Sequence, residues 1–396
     1  MSDTFLLRNY TRYPLTIEAG RGCHVTDPEG KRYLDMITGI GVNAMGYAHP
    51  RITAVLQEQA ALCVHASNLV SNRPQQQLAE RLCRLAGLDR AFFCNSGTEA
   101  VEAALKAARA RSTPAKHGIV SLQRSFHGRT MAALSVTGQS SLRGNFVYAG
   151  ANVTYVEPND REALRAAIGD GTAAVILEPV LGEGGIVPLE AEYLQTARDL
   201  SRRHDAFLIA DEVQCGLGRT GKPFAYEWAG IQPDIVCVAK PLAAGLPLGA
   251  TLFSEDAAQW LPPHSHGTTF GGGPLACRVA LEFLDLMEAQ LPHIQRMATY
   301  FARRLDALRK RHAAIVEVRS RGLMFGIQLA QSAYPFVEAA LRRGLLINAT
   351  QETVIRLLPP YIARVEEFDE AARILDEVWE EAATSDSPRP RTAVYH

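Results

Sequence analysis

The sequence predicts an α/β fold, a mostly parallel seven-stranded sheet covered by helices, with a smaller α+β domain built from both chain ends. Three observations predict it. Seven strand-length apolar runs alternate with helix-period segments through the middle of the chain, and polar or charged residues stand just after those runs. The two ends lack this alternation. A chain of 396 residues also exceeds one small core and suggests two or three domains.

Taken in order, residues 10–40 hold a turn signal, Asp27-Pro-Glu-Gly30, between two β-like runs, which predicts a hairpin. The strands expected next are Ala91–Cys94, Gly118–Leu122, Val153–Val156, Ala173–Leu177, Phe207–Ala210, Ile235–Val238 and Ala250–Phe253. Between them, Glu99–Arg111 and Glu190–His204 carry small and apolar residues every three or four positions, the helical period. Such alternation argues for parallel strands with helices on both faces, and ligands of such sheets sit at the carboxyl ends of the strands. A long helix is expected from about Pro274, short strands near Val316–Leu329 and Ile355–Leu358, and a last helix over Glu367–Ala383. The large domain is therefore expected over 41–280 and the small one over 1–40 and 281–383. The stretch 384–396, rich in Pro, Ser, Arg and Thr, reads as a loose tail.

Composition narrows the function classes. With 47% hydrophobic and 21% charged residues the chain has the mix of a soluble globular protein, and a net charge of −1 offers no surplus to neutralise nucleic acid or hold an anionic membrane. The N-terminus lacks a basic region followed by a long apolar run, so neither a signal peptide nor a membrane span is expected. Seven scattered cysteines, with no Cys-x-x-Cys, predict no disulfide framework and no zinc site, and fit a reducing cytoplasm. His264-x-His266 lacks an evident third ligand, and no metal is expected.

The chemistry lies at the strand ends. One apolar run ends in Asp211 and a second in Lys240. A lysine can condense with the aldehyde of pyridoxal phosphate while a carboxylate keeps the pyridine nitrogen protonated, so one aromatic cofactor would use both. A buried salt bridge, or two unrelated solvated charges, would also explain the pair. Ser96-Gly97-Thr98-Glu99 breaks a strand and starts a helix, whose free N–H groups and dipole attract an anion, with Ser96 and Thr98 adding hydroxyls. A plain N-cap fits the same residues. His266-Gly-Thr268-Thr269-Phe-Gly-Gly-Gly273 places hydroxyls in a glycine loop, and Ser125-Phe126-His127-Gly128-Arg129-Thr130 offers a ring to stack on a flat ligand and a guanidinium to grip a carboxylate.

With these segments in view, the chain resembles the class III (fold type I) pyridoxal-phosphate aminotransferases, and within them the acetylornithine aminotransferase branch. The resemblance runs from Tyr10 to about Ala383. It rests on Asn95-Ser-Gly-Thr-Glu-Ala100, Phe126-His-Gly-Arg-Thr130, Glu178-Pro-Val-Leu-Gly-Glu-Gly-Gly185, Asp211-Glu-Val-Gln-Cys-Gly216 and Thr268-Thr-Phe-Gly-Gly272. It implies that Lys240 is the Schiff-base lysine and Asp211 the partner of the ring nitrogen. Gln214 would lie near the ring hydroxyl, with Val213 and Phe126 against the two faces. Ser96, Gly97 and Thr98 would bind the cofactor at its phosphate, joined by Thr269 from the second subunit of a homodimer. Arg129 would grip the α-carboxylate of the acylated ornithine, with Thr268 and Tyr10 also in the substrate site. Arg356 would take the second carboxylate of glutamate and 2-oxoglutarate, and Glu183 would be the acidic gate that pairs with it. An ordinary surface ion pair is the other reading of Arg356.

Two positions depart from the family pattern. Pro241 follows the lysine where glycines are usual, which stiffens that loop, and Gly273 stands where Asn is usual. His127 is expected to support its loop rather than act as a base. The implied reaction takes the amino group of N-acetylornithine to 2-oxoglutarate, giving N-acetylglutamate 5-semialdehyde and glutamate, within arginine biosynthesis. Rival readings keep the cofactor and change the amine to succinylornithine, ornithine, 4-aminobutyrate or a lysine-pathway amine. A racemase or decarboxylase on the same fold would not need both Arg129 and Arg356. A nucleotide-dependent dehydrogenase lacks its Gly-x-Gly-x-x-Gly after an early strand.

Overall fold

A computed structural model describes residues 5–146 and 152–384 of the chain. Its centre is a seven-stranded sheet in the order Arg90–Cys94, Gly249–Phe253, Ile235–Val238, Phe207–Asp211, Thr172–Leu177, Gly118–Leu122, Val153–Val156. Only Gly249–Phe253 runs against its neighbours; the central pairs are parallel. The middle strands are buried along their whole length because helices cover both faces, so no position alternates toward water. All seven expected strands are present, each within one residue of the expected bounds.

The helix Gly97–Arg111 packs on this sheet through alanines, Ala100, Ala103, Ala104, Ala107 and Ala108, all buried. Small side chains let the helix backbone approach the strands closely. Its first turn is capped by Ser96, whose Oγ accepts the Glu99 N–H, while the Glu99 carboxylate accepts the Asn95 N–H.

Two further sheets come from the chain ends. Ala19–Arg21, His24–Thr26 and Arg32–Asp35 form the expected antiparallel hairpin and its neighbour, and Leu345–Leu346 joins them in parallel from over 300 residues away. Ile315–Arg321, Met324–Leu329, Val354–Leu357 and Asn348–Thr350 form an antiparallel sheet. The helix Pro274–Arg311 starts with proline at a position whose N–H needs no helical acceptor, and ends on Arg309, Lys310 and Arg311, which suit the negative end of its dipole. It packs against Pro50–Leu62 and Arg73–Ala86 and also against Ile315–Arg321 and the last helix, Val365–Thr384. That last helix takes in Thr384, the first residue expected in the tail; the rest of the tail lies outside the described residues. Among the described residues no helix is long and apolar enough to cross a membrane, and no cluster of metal-ligand side chains occurs.

Candidate active site

A cavity of about 390 Å³ opens at the carboxyl ends of the central strands. Asp211 ends its strand there, paired in register with Cys237 on the neighbouring strand that leads to Lys240. Adjacent parallel strands thus deliver the acid and the amine to one space. Ser96, Gly97, Thr98, Phe126, Arg129, Val213 and Gln214 line it with them, so nine of the expected residues meet in this cavity.

Lys240 sits in a single 3-10 turn, Lys240–Ala243. Leu242 donates its N–H to the Ala239 carbonyl and Ala244 donates to Pro241, so the turn closes around a proline whose missing N–H is not needed. Burial lowers the Lys240 ammonium below the ordinary lysine range, against the opposite pull of Glu183 and Asp211. A lysine so placed is more readily the neutral amine that a carbonyl needs.

Asp211 takes its hydrogen-bond partner from His127 and forms no ion pair with Lys240 among the described residues. His127 Nδ1 lies 2.7 Å from Asp211 Oδ2, both side chains are buried, and Oδ1 accepts the Val213 N–H at 3.1 Å. With the carboxylate ionised, the imidazole carries its proton on Nδ1. The histidine expected to support a loop therefore supports the acid. Its backbone N–H is held in turn by Thr137 Oγ1 at 3.0 Å.

Glu178 also lines the cavity, and it was not among the expected site residues. Its two oxygens accept the N–H groups of Phe126 (2.9 Å) and Gly182 (3.0 Å), which joins the aromatic loop to the Gly182–Gly185 loop. Burial pushes its carboxyl up to about 7. The signal was available: Glu178 follows an apolar strand just as Asp211 ends one.

At the helix start, Glu99 N–H is spent on Ser96 Oγ and Ala100 N–H on the Ser96 carbonyl, which leaves the N–H groups of Gly97 and Thr98 without an intrahelical acceptor. The Thr98 hydroxyl is differently engaged. Thr130 Oγ1 donates to Glu102 at 2.5 Å, so Thr98 donates to Thr130 at 2.7 Å. In this arrangement the backbone, rather than the threonine hydroxyl, holds the unspent donors for an anion. Gly97 also sets the width of the cavity, because a Cβ there would lie 2.7 Å from Val213 Cγ1.

Arg129 is exposed and stands 5.6 Å from the Phe126 ring centroid; no carboxylate lies within ion-pair distance of it among the described residues. Arg356 is the opposite case. It is 1% exposed, so the alternative of a surface ion pair does not hold. Its Nη1 donates to Glu183 Oε1 at 2.5 Å and to Gln214 Oε1 at 3.3 Å, and Gln214 Nε2 donates to Glu183 at 3.4 Å. Burial, the largest single influence, would raise the Glu183 carboxyl, but Arg356, Lys240 and Gln214 together outweigh it and the net direction is down. Gln214 connects this pair to the cavity.

Thr268, Thr269 and Tyr10 line no part of the cavity in the single chain. Thr268 Oγ1 accepts from Asn95 Nδ2 (3.2 Å) and the Gly271 N–H (3.2 Å), which fixes the glycine loop beside the cavity, while Thr269 and Tyr10 are exposed. Gly273, where Asn is usual, caps the helix Pro274–Arg311 with φ −59° and ψ 147°, a conformation open to any residue. His264 and His266 belong to no metal cluster among the described residues, and His266 Nδ1 lies 3.0 Å from Lys106 Nζ.

This lining fits pyridoxal phosphate: an amine of lowered basicity, a buried carboxylate held by an imidazole, unspent helix N–H groups, and Phe126 with Val213 on the walls. Comparison with known proteins agrees. The sequence model of the family described as Aminotransferase class-III matches residues 5–379. An acetylornithine aminotransferase of Methanocaldococcus jannaschii is 43% identical over 387 residues, covering 96% of this chain and 97% of the relative. The crystal structure of N-acetylornithine aminotransferase from Stenotrophomonas maltophilia superposes with a TM-score of 0.83 at 31% identity, over 94% of this chain and 97% of that one. The ornithine aminotransferase of Toxoplasma gondii does so with a TM-score of 0.91 at 30% identity, over 96% and 93%. Strand order, cavity and sequence thus lead to one conclusion: the chain belongs to the class-III aminotransferases, enzymes of the fold type I architecture that depend on pyridoxal phosphate.

Proposed function

We propose that this transaminase moves the amino group of N-acetylornithine to 2-oxoglutarate, giving N-acetylglutamate 5-semialdehyde and glutamate, a step of arginine biosynthesis. The observation that carries the reading is the buried Arg356 paired with the partly exposed Glu183 beside Gln214. A transaminase of this substrate pair must seat the second carboxylate of glutamate in one half-reaction and do without it in the other. An arginine whose counter-ion can leave serves both. The Methanocaldococcus jannaschii and Stenotrophomonas maltophilia relatives favour the acetylated amine.

Pyridoxal phosphate, when bound, supplies a carbonyl for the amine and a ring that accepts the electron pair of the broken C–H bond. The remaining work belongs to side chains. Lys240 would hold the cofactor, and its amine of lowered basicity would carry the proton that leaves the amine-bearing carbon of the substrate. Asp211, oriented by His127, supplies the negative charge that keeps the pyridine nitrogen protonated. Phe126 and Val213 would bear on the ring faces and Gln214 on the ring hydroxyl, while the unspent N–H groups of Gly97 and Thr98, at the helix start capped by Ser96, would hold the phosphate. Arg129 grips the α-carboxylate of the acylated ornithine, with Thr268 and Tyr10 in the same site. Thr269 reaches the phosphate of a second copy, so the working unit is a homodimer. Lys240→Ala is expected to lose turnover by about 10⁴-fold or more and to lose the borohydride-trappable cofactor link. Trapping at another lysine would overturn the assignment.

We further propose a large domain over 41–280, a small one over 1–40 and 281–383, and a cytoplasmic setting, which suits seven unpaired cysteines. One second reading has its own support: unacylated ornithine, favoured by the fold likeness to the Toxoplasma gondii enzyme. Half-reaction rates with N-acetylornithine, succinylornithine, ornithine and 4-aminobutyrate separate the two. A clear preference for a free amine would replace the first reading with the second.

A further inference from the structure

The surroundings of Arg356 hold more than the Glu183 pair. Asn348 lies directly opposite Arg356 in the antiparallel register of their strands, so both side chains stand on one face of that sheet. Arg356 Nε donates to Asn348 Oδ1 at 3.2 Å. Thr350, two residues further along the strand, shares that face; its Oγ1 donates to the Glu183 carbonyl at 2.5 Å, and Gln351 Nε2 donates to the same oxygen at 2.9 Å. The strand that holds the arginine side chain thus also holds the glutamate backbone. The two partners differ in freedom: the Arg356 side chain is 1% exposed and the Glu183 side chain 26%.

We propose that Asn348 is the positioning residue that keeps Arg356 in place while the Glu183 side chain swings off it, with Thr350 anchoring the Glu183 backbone so that the swing is a side-chain rotation. The proposal rests on the reading of Arg356 as the seat of the second carboxylate. The chemistry of position 348 is its core. An amide oxygen holds the guanidinium without neutralising it, so when Glu183 leaves, the buried charge still demands an anion and a dicarboxylate supplies it. A carboxylate at 348 would be a permanent partner and would remove that demand. Gln214, the other acceptor, is neutral too, and it reaches Arg356 only because residue 182 is glycine: a Cβ there would lie 2.1 Å from Gln214 Oε1. Among the described residues no bond of Arg356 uses Nη2, which leaves that end of the fork for the incoming carboxylate.

The test uses holoenzyme and glutarate, a dicarboxylate that binds without reacting. Calorimetry should give a glutarate Kd about tenfold weaker for Asn348→Ala than for wild type, the loss expected of one hydrogen bond to a charged group. The isosteric Asn348→Asp should weaken it at least as much, because its own charge competes. For both variants the N-acetylornithine half-reaction should stay within about twofold while that with glutamate falls by the same factor as glutarate binding. For Thr350→Val, hydrogen exchange of the amides over 182–185 should rise with the cavity intact. Unchanged glutarate binding in Asn348→Ala, or an equal loss for both amino donors, would overturn the proposal. Arg356→Ala keeps the two readings apart. A loss confined to dicarboxylates there, with Asn348→Ala silent, sinks the positioning role alone. An equal loss for both donors in Arg356→Ala sinks the carboxylate seat itself.

Discussion

Gly97 stands where the helix start meets the wall of the cavity, and its lack of a side chain decides how much room remains. A Cβ at this position would come 2.7 Å from Val213 Cγ1 and 3.1 Å from Cγ2. Real side chains do not approach so closely, so Gly97→Ala must push Val213 toward the space the cofactor ring needs. Overpacking of this kind costs about 1–3 kcal/mol, and here part of that cost falls on binding rather than on folding. The expected outcome is a pyridoxal-phosphate Kd raised by roughly tenfold, measured on apoenzyme by calorimetry. A Kd equal to that of wild type, with the fold intact, would mean that Val213 yields in another direction. The same scale explains why His127 matters. Without it, the Asp211 carboxylate would keep, among the described residues, one hydrogen bond, from the Val213 N–H, and would be free to turn away from the ring nitrogen.

At the scale of elements, the strand Phe207–Asp211 and the turn behind it carry two acids of different use. Asp211 faces the cavity. Glu212 faces away, fully buried, where it accepts the N–H groups of Ala225 and Tyr226 at 2.9 Å each and lies 3.4 Å from Cys215 Sγ. Burial pushes its carboxyl from 4.5 up to about 7. The folded chain therefore holds the Glu212 proton over a pH range in which the unfolded chain has released it. Stability from this group is present below about pH 4.5 and is lost as pH rises toward 7, by about 3 kcal/mol. Glu212→Gln cannot ionise, so it should pay a constant penalty for mismatched donors while losing that slope. Urea midpoints of apoenzyme between pH 5 and pH 7.5 read the difference, and parallel profiles for the two proteins would refute it. Elements were also the level at which the sequence was most legible. Buried parallel strands must be continuously apolar, and helices between them must repeat every three or four residues, so all seven strands could be read off the chain. The order of those strands was not legible, nor was the reversal of Gly249–Phe253, since pairing depends on partners far away in the chain. The site divides along the same line. Asp211 and Lys240 announce themselves by ending apolar runs, whereas Asn348 lies outside every expected strand and carries no signal until its register opposite Arg356 is known. Glu178 has the same strand-end signal, but its use, joining the Phe126 and Gly182 N–H groups, depends on contacts that only the fold supplies.

For the whole molecule, the exposed apolar residues are not scattered evenly. Leu62, Val64, Leu69 and Val70 fall within nine residues, Leu69 at 94% exposure, and Phe270 is 68% exposed beside Thr269. The two segments touch: Asn68 Nδ2 donates to the carbonyls of Thr268 and Gly271, and the His65 and Phe270 rings lie 5.5 Å apart. A contiguous patch of this kind on a monomer is unusual and marks an interaction surface. Its position supplies the partner, because Thr269, which lines no part of its own cavity, belongs to the same loop. If a second copy covers the patch, as the proposed homodimer requires, one isologous contact both buries these side chains and carries Thr269 toward the other copy's phosphate. Phe270→Glu should then break two properties together. Light scattering should report the mass of a single chain where wild type reports two, and cofactor affinity should fall in the same variant although residue 270 lines no part of the cavity. A comparable charge at exposed Trp260, outside the patch, should change neither. If Phe270→Glu stays dimeric with unchanged affinity, the patch has another use and Thr269 acts within its own chain.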